Sequence, residues 1–228
     1  MKSFLSLATV TACLVSSSFA ADSLEGMFKD GKANGELRAF YIDRNWGGTV
    51  GNPMVDRAAF AVGGNVGFDT ASLHGLSLGA KFYTTNGLGV NSKTSAKVDG
   101  TLFDDNKDSY SILGESYLVY KNSNTTVKVG RQKLDTPLAG SDDARMLPNL
   151  FEATVLINTD IKDTTIIAAH VSKFAAGTFS NAYSASTPSN AALSVSSGYG
   201  LNQTSGKFMN MGTYAINQDT DGVSVLSA

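Results

Sequence analysis

The feature that most constrains this chain is a two-residue hydrophobic period that recurs along most of its length. Apolar side chains alternate with small or polar ones at residues 58–68, 76–85 and 125–132, which is typical of β-strands. Weaker alternation marks further candidate strands at residues 35–44, 110–120, 151–158, 164–172 and 206–216. The sequence therefore predicts an all-β protein with about eight strands, and the apolar run that reaches Ala228 would begin another.

The connectors between these candidate strands alternate between long and short. The long ones are residues 45–57, 86–109, 133–150 and 173–205, and the short ones are residues 70–75, 121–124, 159–163 and 217–221. Transmembrane barrels have this arrangement, with short periplasmic turns and long extracellular loops. Immunoglobulin-type domains also cluster loops at one end. Tyr110 and Tyr120 bracket one candidate strand as interfacial aromatic residues would. We therefore expect an antiparallel transmembrane β-barrel.

The start of the chain has the composition of a secretory signal. Residues 1–20 contain Lys2, an uncharged apolar stretch and a small-residue site at Ala20, and they include Cys13, the single cysteine. We predict a signal peptide at 1–20, a periplasmic N-terminal segment at 21–34 and a barrel domain at 35–228. No later segment approaches the ~18 consecutive apolar residues of a membrane-spanning helix. The net charge of −2 gives no sign of nucleic-acid binding.

Strand alternation also assigns side chains to the two faces of a barrel wall. Lipid should contact the apolar side of each strand, and water should contact the small and polar side. The predicted lipid-facing residues are Phe60, Val62, Phe82 and Val127. The predicted lumen-facing residues are Arg38, Lys81 and Lys128.

One long connector is unusual because it is charged in its centre and apolar at its end. The stretch GRQKLDTPLAGSDDARMLPNLFEA, residues 130–153, lies between two alternating segments. Met146, Leu147 and Leu150 are able to pack against a barrel wall while the charged part contacts water. A solvated surface loop with a chance Asp–Arg pair is the alternative.

This stretch and its surroundings resemble OprD-type outer-membrane porins. The resemblance is carried by GELRAFYIDR, by YSILGESYLVYKNSNTTVKVGRQKLDTPL and above all by SDDARMLPNLFEA. It spans most of residues 35–158, and its pattern consists of Asp143, Arg145, Leu147, Pro148, Phe151 and Glu152. The resemblance implies a monomeric-lumen barrel, often trimeric, whose third long loop folds inward to narrow the pore. Such barrels are larger than this chain, which we expect to supply a C-terminally truncated N-terminal half of about eight to nine strands.

The resemblance gives the charged loop a role as a pore constriction. Asp142, Asp143 and Arg145 would present opposed charges to a passing solute, and Arg131 and Lys133 at the base of the loop would add positive charge. Substrates in the family are small carboxylate-bearing or amino-acid-like nutrients. The expected partners are therefore small hydrophilic solutes and ions, outer-membrane lipid and lipopolysaccharide. The resemblance also implies further copies of the chain in a homotrimer.

Two function classes remain open at this point. The first is a porin for passive, partly selective diffusion in the bacterial outer membrane. The second is a structural or adhesive outer-membrane barrel without an open pore, because a small barrel is filled by interior side chains. His74 and His170 accompany no readable nucleophile motif, so we expect neither an enzyme nor a cofactor. Residues 99–109 are acidic enough to attract a cation but lack calcium-loop spacing, and a solvated loop is favoured.

Overall fold

The computed structural model describes residues 20–45, 55–136, 139–179, 206–212 and 218–228. The predicted signal peptide lies outside these residues except for Ala20. The main strands are β2 (Lys32–Arg44), β3 (Arg57–Asp69), β5 (Leu76–Asn86), β6 (Tyr110–Asn122), β7 (Thr125–Gln132), β8 (Leu150–Asn158) and β9 (Ile166–Ala175). Shorter strands are β1 (Ala20–Ala21), β4 (Ser72–Leu73), β10 (Met209–Asn210) and β11 (Val223–Ser227). The helix α1 (Leu24–Lys29) and 3-10 turns at Ser95–Lys97 and Gly100–Leu102 accompany them.

The main strands form one antiparallel meander, and the prediction of an all-β, barrel-type sheet is confirmed. β2 pairs with β3, β3 with β5, and β5 through β9 each pair with the next strand along the chain. β11 pairs with β9 from Val223 to Ser227. The sheet is not closed within the described residues, because β2 pairs there only with β3.

Several strand boundaries differ from the prediction by a few residues; β9, for example, runs over Ile166–Ala175 where residues 164–172 were predicted. β2 begins at Lys32, so the last residues of the predicted periplasmic segment 21–34 belong to the sheet. The predicted strand 206–216 is represented by the two residues of β10, and residues 213–217 lie outside the described part. The Asn210 side chain accepts hydrogen bonds from the backbone N–H groups of Gly212 and Thr220. These bonds join Asn210 to Gly212 and to Thr220.

The two faces of the sheet differ in chemistry. The face that carries Leu37, Val66, Phe82, Leu118 and Val129 is called the apolar face, and these residues are 42–79% exposed. The opposite face carries Glu36, Arg38, Lys81, Glu115 and Lys128 and is called the polar face. Register supports the division, because Val66 pairs with Phe82 and Lys81 pairs with Glu115. An extended sheet with this much exposed aliphatic surface on one side is suited to contact lipid.

The polar face is partly covered by two connectors. Leu102 and Phe103 of the β5–β6 connector and Met146 and Leu147 of the β7–β8 connector are buried in one cluster with wall residues such as Tyr83. Phe40 and Ile42, which the sequence puts on the same side as Arg38, pack against this cluster. Apolar side chains on the polar face are therefore explained by the loops that lie over them.

The helix α1 packs against the turn between β3 and β5, which lies at the opposite end of the strands from the two long connectors. Ser23 caps the helix by accepting a hydrogen bond from the Gly26 N–H, and Met27 is buried with Ala21 and Ala71. Among the described residues, no helix has the length and apolar character needed to cross a membrane.

Candidate functional site

The connector between β7 and β8, residues 133–149, is fixed to the polar face by its apolar end, as the sequence predicts. Met146 and Leu147 are 0% and 1% exposed, and Leu150 at the start of β8 is 1% exposed. They share a cluster with Ala59 and Tyr83 of β3 and β5. Burial of large aliphatic side chains is the dominant favourable term for such a contact. The connector, called the inner loop below, therefore lies on the polar face.

The charged centre of the inner loop makes a direct contact with the wall. Asp143 accepts hydrogen bonds from both terminal nitrogens of Arg38, with Nη2 3.0 Å from Oδ2 and Nη1 bonded to Oδ1. The Arg38 Nη1 also donates to the Arg145 carbonyl at 2.8 Å. A planar guanidinium matches a carboxylate with two parallel bonds, which fixes orientation as well as distance.

Arg38 is held from its other side by Glu36. Its Nε and Nη2 donate to the two Glu36 carboxylate oxygens at 2.8 and 2.7 Å. The Arg38 and Glu36 side chains are only 10% and 13% exposed. Because residues two apart on a strand share a face, this pairing is built into the sequence of β2. The wall therefore presents Arg38 already oriented towards the inner loop.

The Lys133 side chain lies near the Asp143 carboxylate, and the Arg145 side chain lies near two aromatic rings. The Lys133 Nζ is 3.5 Å from Asp143 Oδ2. The Arg145 guanidinium lies 5.4 Å from the ring centre of Phe40 and 5.1 Å from that of Phe179, within the range of cation–π attraction. These two aromatic faces help to hold the Arg145 guanidinium in place.

Asp142 has a structural position within the loop. Its backbone lies in the left-handed region with φ 43°, and its Oδ2 accepts a hydrogen bond from Asn149 Nδ2 at 3.0 Å. Nearby, the Ser141 N–H donates to Asp135 at 2.9 Å. Hydrogen bonding from Ser141 holds the pKa of Asp135 below its usual range. Asp142 and Asp135 thus shape the backbone that carries Asp143.

Arg131 departs from the predicted constriction group. It pairs in register with Ser116 and Glu152, and its Nε is 3.7 Å from Glu152 Oε2. Its guanidinium also lies 4.4 Å from the Phe208 ring centre. Arg131 follows Val129 by two residues, so strand alternation aligns it with the apolar face. The Arg131 Nη1 donates to the Leu113 carbonyl of β6 at 3.5 Å.

The other predicted lumen-facing cations lie on the polar face beside acids and tyrosines. Lys81 Nζ is 3.6 Å from Glu115 Oε1, which also accepts a 2.6 Å hydrogen bond from the Tyr83 hydroxyl. Lys128 Nζ lies 3.6 Å from the ring centre of Tyr117, whose hydroxyl donates to Asp69 at 2.6 Å. The wall next to the inner loop therefore carries charges of both signs.

The predicted lipid-facing residues all lie on the apolar face. Phe60 pairs with Tyr41 and Val62 with Ala39. Phe82 pairs with Val66 and with Leu113, and Val127 pairs with Tyr120 and Leu156. That this face contacts lipid stays a prediction.

Asp99 of the acidic connector and the His170 side chain both contact neighbouring residues of the protein. Asp99 is buried, pairs with Arg44 at 2.8 Å, and accepts a hydrogen bond from the Thr101 N–H, so this part of the acidic connector is not solvated. Within the described ranges, no cluster of three or more His, Cys, Asp or Glu residues could hold a metal ion. The His170 ring nitrogens contact Ser224 Oγ and the Asp221 carbonyl.

Sequence reasoning missed the residues that orient the charged side chains. Glu36 and Glu115 could have been found from alternation, because they share a face with Arg38 and Lys81. Asn149 and Thr178 carry no periodic signal, and only the folded chain shows their contacts with the inner loop.

Comparisons with known proteins agree with the fold. A family model described as outer membrane porin, OprD family, matches residues 25–222. Among solved structures, OccK9 (OpdG) of Pseudomonas aeruginosa is 24% identical with a TM-score of 0.55, over 66% of this chain and 40% of that chain. OccAB1 of Acinetobacter baumannii is 22% identical with a TM-score of 0.54, over 66% and 36%.

A third similar structure is OpdK of Pseudomonas aeruginosa with vanillate. It is 20% identical with a TM-score of 0.51, over 66% of this chain and 38% of that chain. No curated protein sequence matches the chain. The chain thus shares its fold with these barrels and spans less than half the length of each.

Proposed function

The chain belongs to the OprD family of outer membrane porins, and on that premise we propose that it forms the wall and constriction of a partly selective channel. It is a protein of the bacterial outer membrane. The proposed solutes are small and hydrophilic, namely carboxylates, amino-acid-like nutrients and ions. Contact with lipopolysaccharide and assembly into a homotrimer stay predictions.

The contact between Arg38 and Asp143 is the observation that carries this proposal. A surface loop would leave its charges in solvent, but the inner loop places Asp143 against Arg38, a wall residue whose side chain is 10% exposed. The Lys133 side chain and the Arg145 backbone lie close by, and Lys81 and Lys128 lie on the same face of the sheet. A solute moving along the polar face would meet fixed charges of both signs within a narrow space.

Fixed charges of both signs are suited to a solute that has an anionic end. Lys133 and Arg145 would attract a carboxylate, while Asp143 would attract an ammonium group or a cation. OpdK, whose structure contains the carboxylate vanillate, provides a related example of such a ligand. Preorganised charges cost no reorganisation as a solute passes, so they can select among solutes without binding them tightly.

The test is single-channel recording, in planar bilayers, of a closed barrel that contains the strands and the inner loop of this chain. We expect discrete conductance steps, and a variant with residues 135–145 replaced by a short glycine–serine linker should conduct more. A structural or adhesive barrel would give no steps in either form. Steps of equal size in both forms would instead place the loop outside the conducting path.

A further inference from the structure

We propose that Thr178, in the segment that follows β9, is a positioning residue that fixes the inner loop across the polar face. The inference rests on the proposed function, because it concerns the loop that would narrow the channel. Thr178 is 0% exposed, and its N–H donates to the Leu147 carbonyl at 3.1 Å. Its Oγ accepts hydrogen bonds from the N–H groups of Met146 and Leu147, both at 3.1 Å.

These bonds satisfy backbone groups that have no access to water. Met146 and Leu147 are themselves buried, and a buried N–H that loses its acceptor is unfavourable. One hydroxyl therefore holds two consecutive peptide groups of the inner loop. A side chain of the same shape without the hydroxyl would fill the space and fail to hold them.

The residues on either side of Thr178 extend the contact towards the charged centre of the loop. The Gly177 N–H donates to Asn149 Oδ1 at 2.8 Å. A Cβ at Gly177 would overlap the Leu147 carbonyl, so the two backbones are in close contact there. The Asn149 Nδ2 in turn donates to Asp142 Oδ2 at 3.0 Å and to the Gly140 carbonyl at 3.1 Å.

Phe179 completes the arrangement by lying 5.1 Å below the Arg145 guanidinium. Residues 177–179 thus contact the inner loop at its buried end, at Asn149 and at Arg145. The energy of a passing ion near a fixed charge varies inversely with their separation. A loop released from these contacts would change the selectivity even though every charged residue remained present.

The experiment compares Thr178→Val with Thr178→Ser in the membrane-inserted protein. Valine keeps the shape and removes the hydroxyl, whereas serine keeps the hydroxyl and removes a methyl group. Spin labels at Ala144, in the exposed part of the loop, and at Asn122, the last residue of β6, report loop position by electron-spin distance measurement. Reversal potentials in a salt gradient report ion selectivity on the same variants.

We expect the distance distribution of Thr178→Val to widen by about twofold or more relative to Thr178→Ser. Its permeability ratio should move about twofold or more towards that of the loop-replacement variant, because the fixed charges then lie at variable distances. Thr178→Ser should give the parent's distribution and ratio. Valine and serine variants that match each other in both measurements would overturn the proposal.

A separate measurement on the unmodified protein keeps the test decisive if Thr178→Val does not fold. The amide protons of Met146 and Leu147 should exchange with solvent at least about a hundredfold more slowly than that of Ser123 in the exposed β6–β7 turn. Comparable exchange rates would contradict the proposal. A parent protein that does not conduct would refute the proposed function, whereas label distances and amide exchange would still decide the role of Thr178.

Discussion

Arg38 of β2 and Asp143 of the inner loop, separated by 105 residues in sequence, form a two-point ion pair on the polar face of the sheet. The pair joins the first long strand to the third long connector. Glu36 already holds Arg38 from the other side. Of the three side chains, Asp143 is the one that lies on the inner loop. Removing its carboxylate leaves Arg38 paired with Glu36.

The first prediction is that Asp143→Asn moves ion selectivity towards anions. Asparagine keeps the size of the side chain and removes one negative charge beside the proposed path. A charge about 8 Å from an ion contributes ~0.5 kcal/mol in water and ~2 kcal/mol at an effective dielectric of 20, so the shift should lie between about twofold and thirtyfold. Reversal potentials measure it, with Asp105→Asn, at an exposed residue of the β5–β6 connector, as the matched control.

The second prediction separates two arginines that the sequence groups together. Arg145→Gln should slow carboxylate uptake and move selectivity towards cations, more so at low salt because screening is weaker there. Arg131→Gln removes the same charge but at a residue bound to Glu152, so its effect should be smaller. Liposome uptake of a radiolabelled carboxylate at two salt concentrations measures both. Equal effects would mean that Arg131 also faces the solute path.

The faces of the sheet could be predicted from sequence because a strand has a period of two. One well-placed apolar run, such as residues 76–85, fixes every side chain of its strand and constrains its neighbours through register. The same rule aligns Arg131 with Val129, whereas its nearness to the loop in sequence suggested a constriction role. The constriction role of Arg131 therefore stays a prediction, which the comparison of Arg131→Gln with Arg145→Gln tests.

The contacts of the inner loop could not be predicted in the same way. Met146 and Leu147 are apolar residues at the end of a charged loop, which indicates burial without indicating a partner. The pairing of Arg38 with Asp143 and the bonds from Thr178 depend on how the sheet and connectors fold together in space. No local pattern encodes a contact between residues separated by 105 positions.

The third prediction concerns the apolar face. Phe82 is 45% exposed and lies between Val66 and Leu113, both also exposed. Phe82→Arg should destabilise the membrane-inserted barrel by about 2–4 kcal/mol if this site is near the bilayer midplane. Urea unfolding from lipid vesicles measures the change. Phe28→Arg, at an exposed aromatic residue of α1, should have little effect; equal losses would mean that Phe82 is not in lipid.

The fourth prediction follows from the pKa of Asp135. The hydrogen bond from Ser141 lowers the folded-state pKa of Asp135. A lowered carboxyl pKa contributes stability above its usual value of about 3.9, and this stability is lost as pH falls through the folded-state pKa. Protection of the Ser141 amide, corrected for intrinsic exchange rates, should therefore persist at pH values near 5 and decrease in more acidic solution. Asp135→Asn should lack this pH dependence.

The fifth prediction tests the packing of the wall beneath Lys128. A Cβ at Gly79 would overlap the Tyr117 ring and lie 2.5 Å from Asp69 Oδ1. Gly79→Ala must therefore displace Tyr117 and weaken its hydrogen bond to Asp69. Because an extra methyl group overpacks this site, we expect the substitution to destabilise the barrel by about 1–3 kcal/mol. Heat-modifiable gel mobility and urea unfolding measure the loss. Gly100→Ala, where the added Cβ meets only the Lys107 side chain at 3.5 Å, is the matched control and should unfold like the parent. If the Gly79→Ala barrel is as stable as this control, the position of Tyr117 does not depend on the absence of a side chain at residue 79.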